Sequence, residues 1–311
     1  MCFSFVALLL FVQQDTFTVE GRFRPPAVGS VTLYGATTPF TESTLSDAGG
    51  RFRFRRLEAG AYTLSVFVPG RGESRQTVVV TPSTADSRRR VYIELEMDDT
   101  RLRREEAASV SLRALSIPNS ARREYQEAQS KLSRRDVEAA EQHLLKAVEI
   151  APNYGEAWNN LGTIAYQTQR FERAEQMFRR ALETDETLYA PLVNLGGVLI
   201  NLMRLEEAEH YNRHAVLKQP GDALAHSQLG MTLLGLGRLD QAETHLREAI
   251  RLDPAHFSHP HLHLAEVLWR KNDKRGAADV LERFIGQHPD HPAAAPLRVK
   301  IAEIREQNPP R

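Results

Sequence analysis

Cysteine is almost missing from this chain of 311 residues, which has Cys2 alone and so can form neither an intrachain disulfide nor a thiolate zinc site. Net charge is missing too. Forty basic residues balance forty acidic ones, so no global field draws the protein to nucleic acid or to an anionic membrane, and nucleic acid is not an expected partner. No phosphate loop, Gly-x-Ser-x-Gly elbow or His-Glu-x-x-His pair is present, and Gly235-Leu-Gly237 opens a dinucleotide fingerprint that ends at Asp240. These absences point away from an enzyme and from a bound cofactor. Long apolar runs are lacking as well. The one candidate, Phe3 to Val12, is too short for a bilayer core of about 20 apolar residues, but it suits the centre of a secretory signal peptide.

What is abundant is repetition. Leu161, Leu195 and Leu229 stand 34 residues apart, as do Gly162, Gly196 and Gly230, and the same step links Ala147, Ala181, Ala215 and Ala249. A fixed period of this length among helix-forming segments describes stacked helical hairpins, each unable to bury its apolar face without a neighbour. Ala174, Ala208 and Ala242 keep the step on the second helix, and Pro152, Pro220, Pro254 and Pro289 close units; Glu186 replaces the proline of the second. With Trp158 and Phe178 added, this pattern resembles the tetratricopeptide repeat.

Five units follow from the register: 121–154, 155–188, 189–222, 223–257 and 258–291, within an array spanning 119–291. Unit one is atypical, with Glu124 and Glu127 at packing positions, so its first helix is expected to face solvent. Unit five starts one residue late. Residues 292–308, with Leu297, Ile301 and Ile304, read as a capping helix that turns a polar end to water.

The first hundred residues have a different rhythm. Phe52 and Phe54 alternate with Arg51, Arg53 and Arg55; Tyr62, Leu64 and Val66, Val78 and Val80, and Val91, Ile93 and Leu95 follow the same every-second-place rule. That is the pattern of half-buried strands, with turns at Pro25–Pro26, Asp47 to Gly50, Gly60 and Pro69 to Gly72. The run Asp47, Gly50, Phe52, Phe54, Leu57, Gly60, Tyr62, Leu64, Val66 resembles the carboxypeptidase regulatory-like family of transthyretin-like sandwiches, which are often attached to exported proteins. The resemblance implies architecture and says little about activity.

The expected fold is therefore α+β multidomain: a signal peptide over 1–14, a small all-β sandwich over 15–98, a linker over 99–118, and an all-α solenoid of five hairpins with a cap, its first helix capped by Asn119 or Ser120. Export to the periplasm or the cell exterior is the expected address, with tethering by an uncleaved apolar segment as its alternative.

In tetratricopeptide arrays the first helix of each hairpin lines the concave side, and positions five, nine and twelve share one helix face. They read Tyr125, Gln129, Leu132; Asn159, Thr163, Tyr166; Val193, Gly197, Ile200; Ser227, Met231, Leu234; and Leu262, Glu266, Trp269. Basic residues are nearly absent from these positions, which argues against capture of a terminal carboxylate. The series turns apolar toward the C-terminus, so the expected site is a wall of Met231, Leu234, Leu262 and Trp269, and the expected partner a protein or peptide segment held by side-chain burial.

Two other patches compete. His259 and His263 are four apart, as are His210 and His214, but Pro260 and the lack of a spaced carboxylate make a metal site a poor reading against half-exposed histidines. The Arg51, Arg53, Arg55 stripe with Arg88 to Arg90 could touch an anionic polysaccharide or lipid surface, although a solvated sheet face alternates in the same way. The alternatives to an exported adaptor are a carbohydrate-associated envelope module working through the sandwich, and a non-catalytic subunit of an enzyme complex.

Overall fold

The computed structural model describes residues 16–69, 72–96 and 116–307. The apolar run at the start and most of the linker lie outside them. Among the described residues, seven strands precede eleven helices.

Strands β1 (Phe17–Arg24), β4 (Arg51–Leu57) and β7 (Arg90–Glu96) form one sheet in the order β4-β1-β7, with β1 antiparallel to β4 and parallel to β7. Strands β2 (Ser30–Gly35), β3 (Thr41–Leu45), β5 (Gly60–Val68) and β6 (Gly72–Val80) form the second, in the order β3-β2-β5-β6, all antiparallel. The two inner faces enclose Val19, Phe23, Leu33, Phe54, Leu57, Leu64 and Val80, all essentially without exposure. The alternation read from the sequence thus selects the packing face: Phe52 and Phe54 point in, and Arg51, Arg53 and Arg55 point out. Ile93 is the exception, only partly buried against this core. Gly50 turns the chain into β4 at φ 75°, a backbone region where a side chain is strained.

The helices run in pairs: α1 (Asn119–Ser133) with α2 (Val137–Ile150), α3 (Gly155–Gln167) with α4 (Phe171–Thr184), α5 (Tyr189–Asn201) with α6 (Leu205–Lys218), α7 (Ala223–Gly235) with α8 (Leu239–Leu252), and α9 (Pro260–Arg270) with α10 (Lys274–Gln287). Helix α11 (Ala294–Gln307) closes the stack by burying Ile301 and Ile304 in a cluster with Phe284 and Ile285. None of these helices is long and apolar enough to cross a membrane.

The repeated glycines work by close approach. A Cβ built on Gly162 would lie 2.5 Å from the Phe178 ring, and one on Gly230 2.6 Å from Leu246 Cγ, so the second helix of each hairpin reaches the backbone of the first. Unit three puts Asn212 at that place, fully buried, donating to Thr232 Oγ1 at 3.0 Å.

Local expectations fail at two places. Pro118 is the N-cap of α1, and neither Asn119 nor Ser120 caps it through a side chain, because Asn119 is already inside the first turn. Helix α1 is not left to solvent: Ala121, Ala128 and Leu132 are buried, and Glu124 meets His143 Nδ1 at 2.7 Å. The exit turn that lacks proline is instead closed by Asp185, whose carboxylate accepts from Thr187 N at 2.9 Å and Thr187 Oγ1 at 2.6 Å. The late start of unit five has a local cause. Pro260 occupies the first turn of α9 and His259 before it is left-handed at φ 50°, so that helix begins late and is shorter than its equivalents.

A second period runs through the charges. Glu141, Glu175, Glu209 and Glu243, spaced 34 apart on the second helices, each meet a cation from the next unit: Arg170 at 3.0 Å, Arg204 at 2.7 Å, Arg238 at 2.5 Å and Lys271 at 2.8 Å. These carboxylates are mostly covered, so the ladder ties neighbouring units outside the apolar core.

Candidate functional site: the concave face and the sandwich across it

First helices of neighbouring units approach one another, α3 with α5, α5 with α7 and α7 with α9, and among the described residues the second helices show no comparable approach. The first helices therefore form the inner wall of the curve. Along that wall polar side chains link unit to unit. Asn160 Nδ2 donates to Tyr125 Oη at 3.1 Å, Asn194 Nδ2 to Asn159 Oδ1 at 3.1 Å, Asn201 Nδ2 to Tyr166 Oη at 3.2 Å, and the hydroxyls of Ser227 and Ser258 lie 2.6 Å apart. Thr163 bonds the carbonyl of Asn159 in its own helix at 3.0 Å. Burial raises the Tyr125 phenol well above its usual pKa, with Tyr154 adding to the shift.

The apolar wall is less continuous than its spacing suggests. Val193 and Leu234 are buried in the array's own core, and Ser227 is fully buried. Ile200 and Tyr166 are half-buried against one core cluster and Leu262 against another, while Met231 is half-buried. The reason is curvature: on the inside of a tight superhelix, position five or twelve of one unit meets the next unit before it meets solvent. Glu266 is exposed and paired with Arg270. Trp269 remains 45% exposed with the Lys274 ammonium 5.7 Å from its ring centre.

Sequence reasoning missed the largest feature of this face, which is that the sandwich lies across it. At the N-terminal end, α1 covers the edge strand β3, and Arg135, in the turn after α1, reaches three sandwich residues. Its Nε meets Glu58 at 3.0 Å, its Nη2 donates to Tyr62 Oη at 3.3 Å, and its guanidinium sits 4.7 Å from the Phe40 ring centre. Gln167, at the end of α3, donates to the Gly35 carbonyl at 2.9 Å. On the opposite rim, Asp253 before α9 accepts the main-chain N–H of Thr77 on edge strand β6 at 2.9 Å, and Asp290 before α11 meets the Ser83 hydroxyl. Arg75 on β6 feels the charge of Asp222 before α7. The contacts thus start at the C-terminal ends of the first helices of units one and two and finish beside the N-terminal starts of those of units four and five and the cap. The sandwich crosses the groove diagonally.

This seam is polar. The sandwich's buried core and the array's buried cores remain separate clusters, and the strand face turned to the array carries Thr32, Tyr34, Thr63, Ser65 and Thr77. Such a face has no hydrophobic period of its own to betray it. Arg135, Gln169, Met203 and Gly237 stand 34 apart in the turn between the two helices of each unit, all with positive φ, and of these Arg135 is the one that meets the sandwich.

The histidines lie elsewhere. His259 is outside α9, so it shares no helix face with His263, and among the described residues no group of three His, Cys, Asp or Glu could hold one ion. His210 and His214 are exposed on α6. Of the basic stripe, Arg51 is paired with Asp47 and Arg53 with Glu20, both at 3.1 Å or less.

Comparison with known proteins agrees with this geometry. A tetratricopeptide-repeat model matches residues 125–188 and 194–257, and a second one 233–301; together they span more than half of the chain. The chain belongs to the tetratricopeptide-repeat family. Its N-terminal domain, over residues 21–95, matches the carboxypeptidase regulatory-like domain. No curated protein matches.

Among solved structures similar to this tetratricopeptide-repeat protein, PilF of Pseudomonas aeruginosa is 24% identical, with TM-score 0.52, covering 60% of this chain and 85% of that one. PilW, described as a type IV pilus biogenesis factor, is 19% identical, with TM-score 0.55 and coverage of 61% and 88%. A double mutant of MamA from RS-1 is 22% identical, with TM-score 0.51 and coverage of 57% and 99%. These likenesses establish the repeat fold and nothing more.

Proposed function

We propose that this protein is a non-catalytic adaptor whose repeat array holds its own sandwich across the concave face until a partner protein segment takes that place. The observation that carries the reading is the diagonal of contacts from Arg135 to Asp290, which sets the sandwich over the surface where an array of this family would receive a partner. Main-chain and hydroxyl groups make much of that docking, at about 0.5–1.5 kcal/mol net for each bond, so a partner can displace it without breaking either core. The tetratricopeptide repeat supports protein or peptide binding and supplies no chemistry of its own. The apolar run from Phe3 to Val12 and the class of the sandwich support a place of work outside the cytoplasm.

The test uses the full chain as bait in three forms: the parent, Arg135→Glu, and Met231→Glu combined with Trp269→Ala. Arg135→Glu should release the sandwich and increase partner capture severalfold, whereas the groove variant should abolish it with helical content unchanged. Equal capture by all three would remove the groove from the function.

A further inference from the structure

The basic stripe of β4 loses two of its three members to ion pairs, and the third has company. Arg55 and the next residue, Arg56, line a pocket at the seam between the domains together with Arg134 and Arg135 from the turn after α1, Phe40 and Glu42. Among the described residues, the guanidinium groups of Arg55, Arg56 and Arg134 have no ion-pair or hydrogen-bond partner. Arg135 is fixed by Glu58, Tyr62 and Phe40 and gives the pocket a rigid wall. Counting Glu42 and Glu58 against the four arginines leaves two positive charges without a counterpart, in a chain that is neutral overall.

Glu42 does not resolve the imbalance. Burial raises its pKa, among the described residues no ion pair joins it to the arginines, and with its charge counted two positive charges remain. Arg56 holds φ 58°, a region that long side chains avoid, while Arg135 at φ 59° takes the turn position common to the repeats. Like charges gathered this way repel one another unless an anion joins them, and guanidinium forks fit tetrahedral oxyanions with paired N–H donors.

We propose that this seam is a binding site for a doubly charged tetrahedral oxyanion, a phosphate or sulfate group either free or as the terminal monoester of a small molecule. Two charges on the ligand match the two left over in the pocket. Because Arg55 and Arg56 belong to the sandwich and Arg134 to the array, the bound anion bridges the domains and holds the sandwich across the groove. The inference rests on the docking described under the proposed function for its geometry.

The experiment is calorimetric titration of the full chain with inorganic phosphate, sulfate, glucose 6-phosphate and, as a monoanion control, acetate, alongside cosedimentation with phosphatidylcholine vesicles containing phosphatidic acid. Two variants remove the site from either side: Arg55→Gln with Arg56→Asn, in which asparagine tolerates the left-handed backbone, and Arg134→Gln. Arg298→Ala on α11, an exposed arginine of the cap, is the control. Saturable binding of phosphate or sulfate, weakened tenfold or more in each seam variant and unchanged in Arg298→Ala, supports the site; glucose 6-phosphate binding as well as phosphate assigns it to soluble monoesters. Absence of saturable binding, equal loss in the control, acetate binding as tightly as phosphate, or binding to vesicles alone overturns it. Small-angle scattering on the parent separates the two failures: a compact particle without phosphate binding removes only this site, whereas an extended one removes the docking as well.

Discussion

Burial holds several histidines of this fold neutral well below their usual pKa. His261 is 3% exposed with no partner at Nδ1, and burial first, then the neighbouring His288 and Arg283, hold its pKa down at about 4. His259, whose ring lies 4.7 Å from that of His288 and 4.9 Å from that of His291, is also held at about 4, and His245, beside His226, likewise. His226 Nε2 donates to the Pro220 carbonyl at 3.1 Å, which leaves its Nδ1 to accept from His245 Nδ1 at the same distance; a proton gained by His226 would break that bond. A folded pKa below the unfolded value means that the native state binds fewer protons. Stability is therefore complete above about pH 6.5 and lost as pH falls from there toward 4. After discounting for screening, each histidine should cost less than ~1.4 kcal/mol per pH unit in that window. Urea midpoints at pH 7.5 and 5.0 measure it, and His261→Gln should flatten the dependence. A stability equal at both pH values would mean that these rings are solvated. The sequence displayed the histidines as a cluster but not their neutral state, because burial of a ring depends on the late helix start at Pro260, which spacing alone does not reveal.

At the level of elements, the hairpins were legible because their packing obeys one rule repeated: a glycine on the first helix, a large side chain on the second, and a small residue beside it. The strands were legible for the matching reason, period two. What escaped was the second use of the same period, the carboxylate on one hairpin and the cation on the next, since charged residues at fixed spacing look like an ordinary solvated face until the superhelix brings them together. Glu141 takes Arg170 at 3.0 Å and Arg173 at 2.6 Å, with its own side chain only 17% exposed. A double-mutant cycle on Glu141→Gln and Arg170→Gln should give a coupling of about 0.5–1 kcal/mol, near the top of the range for surface pairs because the carboxylate is covered. The coupling should shrink in 1 M salt, where the screening length is about 3 Å. Additive single variants would show that each unit is held to the next by apolar contact alone.

For the whole molecule, the decisive quantity is the balance between a polar seam and the freedom of two separately cored domains. Each domain buries its own apolar residues in its own clusters, so undocking exposes no hydrophobic core and costs only the seam's bonds. This also explains why docking could not be read from the sequence: Gln167, Asp253, Asp290 and the hydroxyl-bearing strand face follow no periodic pattern that would mark them. Arg135 is the strongest single anchor, since it supplies an ion pair, a hydrogen bond and a stacked contact at once, and Arg135→Glu places its new carboxylate against Glu58. That variant should leave both melting transitions near those of the parent while the radius of gyration rises and amide exchange at Thr77 quickens, because the bond to Asp253 opens with the domain. High salt should move the parent in the same direction by weakening the Arg135 pair and the longer-range attraction of Asp222 for Arg75. If instead Arg135→Glu unfolds the sandwich, or if the radius stays that of the parent through 1 M salt, the two domains form one cooperative body and the groove is closed permanently rather than held shut.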